Sequence, residues 1–408
     1  MMKWIYAPLI AGVVGWAMLF QSSTAQAAQT KEKVLHSFGS YRGGTGPKGG
    51  LIDVNGVLYG TTAVGGKGSG GIVFAYDPTT GAEKALYNFC LKPYCADGKD
   101  PTASLIYIRG KLYGTTQAGG AHNMNGTVFA LDIKNGTERV LYSFSGNDGS
   151  QPAASLIDVN GTLYGTTSSG GANGTSCNYT GCGTVFALDR RTGAETVLYS
   201  FCSQGACTDG AQPFGNLIDV DGTLYGTTSG GGSYEGGTMF ALNPSTGTET
   251  VLYSFCSEQN CADGWAPYAG VIDVNGTLYG TTGAGGTHAN GTVFALNPNT
   301  GSETVLYSFC ALENCTDGAN PTAGLTYAMA KAKLYGTTFG GGFPGSAFAI
   351  DLQTGAETLL HAFCNRLNCV DGKWPGAGLI DVKGTLYGTT WDGGTINSGG
   401  TLFSLAKH

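Results

Sequence analysis

Twelve cysteines are the residues of this chain whose type and spacing point most directly to chemistry. They form six pairs, all with the same Cys-x4-Cys spacing. Close cysteine pairs either form local disulfides or bind zinc, which needs four ligands at the corners of a tetrahedron. The pairs are Cys90/Cys95, Cys177/Cys182, Cys202/Cys207, Cys256/Cys261, Cys310/Cys315 and Cys364/Cys369.

Disulfides are the interpretation that the pairing favours. No cysteine is left over, and the chain begins with an export-like segment, so an oxidising compartment is indicated. Zinc binding is the alternative, but it requires two pairs to converge, and pairs on separate repeats would be held apart. We therefore predict six disulfides, no metal site and no cofactor. Twelve reactive thiols in the unreduced protein would contradict that prediction.

Aromatic side chains that interrupt the repeat described below form a second set of candidates. Rings with few charges around them suit stacking on sugars or contact with a partner protein. The alternative is that each ring only covers the loop beneath it. The ligand-binding candidates are Trp265, Trp374, Trp391, Tyr94 and Tyr234, with Tyr41 and Phe343 as weaker ones.

No catalytic residue is assigned from the sequence. Only five histidines are present, and their spacing supports neither a Ser-His-Asp nor a Cys-His arrangement. Paired carboxylates are the alternative left open, because Asp100, Glu235 and Asp392 lie outside the repeat and are free to approach one another.

A single pentapeptide organises the elements that must position these residues. Leu-Tyr-Gly-Thr-Thr occurs seven times at intervals of 51 to 61 residues, and a period of this length indicates a repeat architecture. With 70 glycines and 12% charged residues, short strands with glycine turns are favoured over helices. The copies begin at Leu58, Leu112, Leu163, Leu224, Leu278, Leu334 and Leu386.

Each repeat contains four strand-like segments, which we name A, B, C and D. In the third repeat they are residues 153–159, 162–167, 183–188 and 195–201. Segments A and B are joined by Asn160-Gly161, a pair that tolerates the positive φ angles of a tight type I′ hairpin. Each repeat is therefore predicted to be an antiparallel sheet of four strands.

The two ends of the chain decide between an open stack and a closed ring. Residues 34–38 match segment D, whereas residues 401–405 match segment C. The first segment completes the last sheet only if the ends meet, which would also remove open sheet edges. We therefore predict an all-β fold: a seven-bladed β-propeller of four-stranded antiparallel blades, closed by the N-terminal strand completing the last blade.

Strand direction predicts which side of the ring carries function. The D–A and B–C connections must share one rim, and the A–B and C–D turns the other. The first rim has the long, varied loops and all the cysteine pairs, and such loops usually carry function. A binding site is therefore expected on the disulfide-bearing rim, near the mouth of the central channel.

The repeat resembles that of a known family. The run Leu-Ile-Asp-Val-Asn-Gly-Thr-Leu-Tyr-Gly-Thr-Thr, followed by Gly-Thr-Val-Phe-Ala-Leu-Asp and Val-Leu-Tyr-Ser-Phe, is similar to the GloVer (Gloeo/Verruco) tandem repeat of exported bacterial proteins. The resemblance covers residues 28–408 and implies propeller-like repeats outside the cytoplasm. It implies no catalytic residue.

The amino-terminal segment predicts export. Lys3, an uncharged apolar stretch over residues 4–20 and Ala25-Gln26-Ala27 form a signal peptide, residues 1–27, with an uncleaved anchor as the alternative. Residues 28–408 would then be one propeller, secreted, periplasmic or on the cell surface, without a membrane span and monomeric. A net charge of −7 without a basic cluster disfavours nucleic acid as a partner.

Three functions are consistent with these features. The first is a non-catalytic binding or scaffold module for an extracellular glycan or protein, acting through the disulfide-bearing rim. The alternative is an extracellular polysaccharide hydrolase or lyase, which carboxylates, or an acid and a histidine, converging at the channel mouth would favour. A purely structural envelope protein is the third, which a featureless rim would favour.

Overall fold

The computed structural model describes residues 32–39, 43–122, 124–173, 177, 181–396 and 398–407. Within these ranges the strands form seven four-stranded antiparallel sheets, the blades of a β-propeller. The first six blades are β2–β5, β6–β9, β10–β13, β14–β17, β18–β21 and β22–β25, and the seventh combines β26–β28 with β1. The strands are β1 Lys33–Ser37, β2 Ile52–Val54, β3 Val57–Thr62, β4 Ile72–Asp77, β5 Ala82–Asn88, β6 Ile106–Ile108, β7 Lys111–Thr116, β8 Thr127–Asp132, β9 Glu138–Ser143, β10 Ile157–Val159, β11 Thr162–Thr167, β12 Thr184–Asp189, β13 Glu195–Ser200, β14 Ile218–Val220, β15 Thr223–Thr228, β16 Thr238–Asn243, β17 Thr248–Ser254, β18 Ile272–Val274, β19 Thr277–Thr282, β20 Thr292–Asn297, β21 Ser302–Ser308, β22 Thr326–Ala328, β23 Lys333–Thr338, β24 Ser346–Asp351, β25 Glu357–Ala362, β26 Ile380–Val382, β27 Thr385–Thr390 and β28 Thr401–Ala406.

Helical structure in the described part of the chain consists of six three-residue 3-10 turns. Five of them end at the second cysteine of a cysteine pair, and the sixth replaces the A–B turn of the sixth blade. They are Pro93–Cys95, Gly205–Cys207, Gln259–Cys261, Glu313–Cys315, Met329–Lys331 and Leu367–Cys369.

The ring closes as the sequence predicts. Strand β1 pairs antiparallel with β28, with Lys33 opposite Ser404 and Ser37 opposite Thr401. Directly after β1, the ring of Phe38 lies 5.0 Å from that of Phe74 in the first blade. The N-terminal strand therefore completes the seventh blade and also joins it to the first.

Phenylalanines build the contacts between blades. A strand-D phenylalanine of each blade packs against a strand-C phenylalanine of the next, with ring centroids 4.8 to 5.1 Å apart. Burying two such rings supplies a large apolar area at each interface. The pairs are Phe38–Phe74, Phe89–Phe129, Phe144–Phe186, Phe201–Phe240, Phe255–Phe294, Phe309–Phe348 and Phe363–Phe403.

The repeated pentapeptide is explained by these interfaces. In the second blade, a Cβ at Gly114 would lie 2.9 Å from the Phe129 ring, so only glycine leaves room for it. The Thr115 hydroxyl donates to the Ala154 carbonyl of the next blade at 3.2 Å. The Thr116 hydroxyl bonds to a threonine hydroxyl of strand C within its own blade at 2.8 Å. The first threonine thus links blades, and the second links strands.

Strand A is shorter than predicted. In the third blade the strand spans Ile157–Val159 rather than residues 153–159. The preceding segment does not pair with strand B because it faces the previous blade, where its Ala154 carbonyl accepts the threonine bond just described. Residues 153–155 instead line the central channel, as their equivalents do in every blade.

The A–B turns have the predicted type I′ character. Asn160 and Gly161 both have positive φ angles, of 55° and 93°. Lysine occupies the first of these positions in the seventh blade, where Lys383 has a φ of 51°. A lysine side chain gains nothing from this conformation, whereas asparagine tolerates it well.

We expect Lys383→Asn to stabilise the protein by about 0.5–1 kcal/mol, because asparagine lowers the cost of the left-handed conformation. Chemical denaturation measures the free energy of unfolding. Lys383→Ala is the matched control, since it removes the same charge and keeps the strain. An equal gain from both variants would show that charge, not conformation, is responsible.

Candidate functional site

The D–A and B–C connections share one rim and pair with each other there. In the seventh blade Lys373, before strand A, forms an isolated bridge with Asp392, after strand B. Trp265 and Ala284 form the same bridge in the fifth blade. The long loops are therefore tied together at the edge of the channel.

All six cysteine pairs form disulfides, as predicted. Five close a loop between strand D and the next strand A. Beneath the first loop, the buried Asp97 carboxylate accepts hydrogen bonds from the Tyr87 hydroxyl (2.9 Å) and the Leu91 amide (3.1 Å). The loops thus rest on a fixed polar anchor, and they project from the rim as rigid units.

Two of the pairs converge, contrary to our expectation. The Sγ atoms of Cys177, Cys182, Cys202 and Cys207 all lie within 4.8 Å of one another. The prediction that pairs are held apart treated each pair as belonging to a different blade. It is wrong here because the B–C loop and the D–A loop of the third blade lie side by side.

The mouth of the channel on this rim is a cavity of about 300 Å³. Two columns of the repeat line it: the residue after the proline that precedes strand A, and the residue after the Thr-Thr of strand B. The side chains in these columns vary around the ring, from glycine to tryptophan, so the mouth is asymmetric. The lining residues are Lys48, Thr102, Gln117, Ala153, Phe214, Thr322, Phe339, Gly376 and Trp391.

Three aromatic rings contact one another at one side of the mouth, and two of them, Phe339 and Trp391, line the cavity. Phe339 lies nearly parallel to Trp374, with centroids 6.2 Å apart and an angle of 15° between the planes. Trp391 lies 6.2 Å from Phe339 and 6.3 Å from Trp374. Trp391 is 37% exposed. We call Phe339, Trp374 and Trp391 the aromatic wall.

Two lysines lie over the aromatic wall. The Lys48 ammonium is 4.2 Å from the centroid of Trp391, and that of Lys373 is 4.3 Å from Trp374. Both distances suit cation–π attraction. The Lys373 ammonium also forms an ion pair with Asp392 at 3.3 Å. Each lysine therefore lies over the ring of one of the two tryptophans.

Trp374 is held in a strained conformation. Its φ of 58° lies in the left-handed region, which bulky residues rarely adopt. Its amide donates to the Pro344 carbonyl at 2.7 Å, and its carbonyl accepts from the Trp391 amide at 3.0 Å. A φ of 56° to 65° occurs at the residue before this proline in all seven repeats, with Gly46 in that place at the ring closure. The conformation therefore belongs to the repeat, and Trp374 is the bulkiest residue that adopts it.

A second aromatic pair lies across the mouth. The rings of Phe214 and Tyr268, in the residue column after the proline, are 5.9 Å apart. Sequence reasoning did not single out Phe214, Tyr268 or Phe339. The sequence does distinguish them, because each is a bulky residue at a repeat position that holds a small residue in most blades.

The predicted binding residues fall into two groups. Ring contacts among the described residues join Trp374 to Trp391 and link neither of them to Trp265, Tyr94 or Tyr234. Tyr94 stands at the tip of the first disulfide loop and is 94% exposed, whereas Tyr234 lies in a B–C loop. Trp265 is exposed on the same rim. Among the weaker candidates Phe343 is half-buried, and Tyr41 lies outside the described residues.

The non-repeat carboxylates are engaged with different partners. Asp392 is paired with Lys373, as described above. Glu235 borders a separate cavity beside Cys207. Burial raises the pKa of Asp100, and Lys99 and Lys48 partly oppose that shift. The side chains that line the mouth cavity are aromatic, aliphatic, hydroxyl, amide and ammonium groups.

Carboxyl pairs are buried at the blade interfaces beneath the loops. Between the fifth and sixth blades, Asp317 accepts the Tyr307 hydroxyl at 2.8 Å, and Glu357 approaches from the sixth blade. Burial, with a smaller effect of Asp317, raises the pKa of Glu357 to about 8. The same causes, burial first, raise the pKa values at the equivalent positions, to about 7 for Glu195 and Glu249 and about 8 for Glu303.

At two other blade interfaces a basic side chain forms an ion pair with the glutamate. Glu138 forms an ion pair with Lys92 at 3.1 Å, and Glu32 with Arg366 at 2.8 Å. The interfaces therefore differ in charge balance, although they share one geometry.

Comparison with known proteins identifies the repeat and the fold. The sequence model of the Gloeobacter/Verrucomicrobia repeat matches residues 11–179, 91–262 and 175–403. No curated protein matches the chain. Among the described residues, no helix has the length and apolar character needed to cross a bilayer.

Several solved propellers have a similar fold. An oligogalacturonate lyase in complex with manganese has a TM-score of 0.54 and 11% identity, covering 93% of this chain and 98% of its own. A europium-containing methanol dehydrogenase has a TM-score of 0.55 and 12% identity, covering 93% and 94%. An oligogalacturonate lyase from Vibrio parahaemolyticus has a TM-score of 0.53 and 9% identity, covering 93% and 94%. At these identities the likeness concerns the fold alone.

Proposed function

The chain belongs to the Gloeobacter/Verrucomicrobia repeat family, and from that premise we propose that it is a non-catalytic carbohydrate-binding propeller that acts outside the cytoplasm. The single observation that carries the proposal is the aromatic wall at the mouth of the channel. The six disulfides fit an extracellular protein, since such bonds persist where the environment is oxidising. The predicted signal peptide, residues 1–27, lies outside the described residues.

The chemistry of the mouth supports a sugar as ligand. The apolar C–H face of a sugar ring stacks on an aromatic face, and Trp391 is partly exposed at the mouth. Because the Lys48 ammonium lies over the Trp391 ring, this lysine must move aside for a sugar to stack there. Thr102 and Gln117 supply hydroxyl and amide groups that both donate and accept hydrogen bonds, as sugar hydroxyls require. Lys48 adds the one cation of the lining, and it suits a sugar with an acidic group.

The shape of the mouth favours a glycan over a folded protein. The site is a concave cavity of about 300 Å³, at the lower end of the range for small-molecule sites. A stable protein complex buries about 800 Å² on each partner, usually over a flatter surface. The N-terminal strand β1 also covers the edge of β28, so the last blade keeps no unpaired strand C, which supports a monomer.

The proposal is tested by a glycan array probed with residues 28–408. We expect the wild type to bind a defined set of glycans, and Trp391→Ala to weaken the dissociation constant for the best of them by tenfold or more (about 1.4 kcal/mol). The loss follows from removing the exposed stacking face.

Trp265→Ala is the matched control, because Trp265 is exposed on the same rim outside the aromatic wall. Its dissociation constant should stay within about twofold of the wild type. Unchanged affinity in Trp391→Ala and Trp374→Ala would contradict the site. Failure of the wild type to bind any glycan, together with specific capture of a protein partner, would contradict the ligand class.

A further inference from the structure

The four convergent cysteines form a site that the binding function leaves unused. Among the described residues, this is the one group of three or more ligand-type side chains that meets. One pair, Cys177–Cys182, is inserted in the B–C loop of the third blade. The other, Cys202–Cys207, closes the D–A loop that follows the same blade.

The position of Cys182 explains why the pairs meet. In the first and fourth blades the equivalent residue is a glycine, Gly70 or Gly236, that packs against the first cysteine of the neighbouring disulfide. A Cβ at Gly70 would lie 2.6 Å from Cβ of Cys90, and one at Gly236 would lie 2.7 Å from Cβ of Cys256. A side chain at this position therefore faces the D–A disulfide.

One side of the cysteine cluster packs against apolar residues, and the other side borders a cavity. Cys182 and Cys202 are buried among apolar residues that include Phe201. Cys177 and Cys207 border a cavity of about 300 Å³ that also contains the Glu235 carboxylate. An apolar shell protects thiolate–metal bonds, and the cavity provides an entry path where a carboxylate attracts cations.

We propose that reduction of these two disulfides converts the cluster into a four-thiolate zinc site. The ligands follow the order Cys-x4-Cys-x19-Cys-x4-Cys, similar to the spacing of structural zinc sites. With Zn–S bonds of about 2.3 Å, the edge of the tetrahedron is about 3.8 Å. The sulfurs already lie within 4.8 Å of one another, so small movements complete the site.

The conversion balances with an external dithiol as reductant. Each protein disulfide takes up two electrons and two protons, and one dithiol is oxidised to its disulfide for each bond reduced. The four thiols then release four protons as they bind one Zn²⁺. An external disulfide reverses these steps: it is reduced to a dithiol for each protein disulfide that re-forms, and the zinc ion is released.

The experiment measures zinc in the full chain, residues 28–408, before and after reduction with a dithiol. After removal of the reductant and excess metal without exposure to air, we expect about one zinc ion per reduced chain and none in the oxidised chain. Cobalt substitution should give the visible absorption of tetrahedral thiolate ligation.

Two double variants separate this site from the other cysteines. Cys177→Ser/Cys182→Ser should abolish zinc binding, whereas Cys256→Ser/Cys261→Ser should keep it, because Gly236 rather than a cysteine lies beside that pair. Equal zinc content in both variants would overturn the proposal.

Near-ultraviolet circular dichroism shows whether reduction of the six disulfides unfolds the chain. If the reduced chain loses its signal, zinc should restore the signal in the wild type and in Cys256→Ser/Cys261→Ser, but not in Cys177→Ser/Cys182→Ser. A reduced wild type that neither retains nor regains structure with zinc, and binds none, would contradict the site.

Discussion

Removal of residues 32–38 should abolish the cooperative folding of the whole propeller. This segment supplies the outer strand of the seventh blade, through the β1–β28 pairing. It also supplies Phe38, which is 1% exposed and packs on Phe74. Loss of one such phenylalanine typically costs about 3–5 kcal/mol, and the deletion also leaves an unpaired strand edge. The expected loss therefore approaches the total stability of a typical domain.

Thermal unfolding and size-exclusion chromatography measure this effect. The deletion variant should aggregate or lose its sharp transition, and Phe38→Ala alone should lower the midpoint clearly. Adding a peptide of residues 29–39 in trans is the matched rescue, since it restores the same strand without covalent closure. A deletion variant that stays monomeric with an unchanged midpoint would show that closure does not hold the ring together.

Raising the pH from 5 to 8 should destabilise the protein through the carboxyl pairs between blades. The pKa of Glu303 and that of Glu357 are raised to about 8 from the ordinary 4.5, mainly by burial. The folded state therefore binds these protons more tightly than the unfolded state. Their stabilising contribution is complete below pH 4.5 and is lost as the pH rises through about 8.

Glu357→Gln should remove the part of this pH dependence that arises between the fifth and sixth blades. At pH 8 we expect a gain on the order of 2 kcal/mol, after allowance for solvent screening, and a much smaller change at pH 5. The amide keeps the size of the side chain and carries no charge beside Asp317. Denaturant unfolding at both pH values measures the difference.

Glu138→Gln is the matched control, because the Lys92 ammonium, 3.1 Å away, partly offsets the rise that burial causes in the pKa of Glu138. It should stabilise the protein at pH 8 clearly less than Glu357→Gln does. Stabilisation of equal size in both variants would mean that the pH effect does not arise from unbalanced carboxyl pairs.

Features that depend on the period or on local turn chemistry could be predicted from the sequence. The chain starts with a strand D that precedes the first full repeat, and it ends with a repeat that lacks strand D. Counting the strand types therefore predicts both the seven blades and the closure of the ring. The Asn-Gly turns and the disulfides follow from neighbouring residues alone. Each of these features needs no knowledge of how separate loops approach one another.

The aromatic wall could not be predicted as a unit, because its rings come from two blades and from the connection between them. Trp374 and Trp391 were recognised singly as breaks in the repeat, whereas Phe339 was not. The shortened strand A and the convergence of Cys182 with Cys202 depend on the same kind of contact between loops. Comparing each column of the repeat around the ring, rather than each unit along the chain, would have found them.

Tryptophan fluorescence tests the central claim most directly. The chain has five tryptophans, and residues 28–408 retain only Trp265, Trp374 and Trp391. In Trp265→Phe, all indole emission therefore comes from the aromatic wall. Binding of the best glycan from the array should shift that emission to shorter wavelengths and shield it from acrylamide. Saturating glycan that leaves both the spectrum and the quenching unchanged would contradict a binding site at the mouth of the channel.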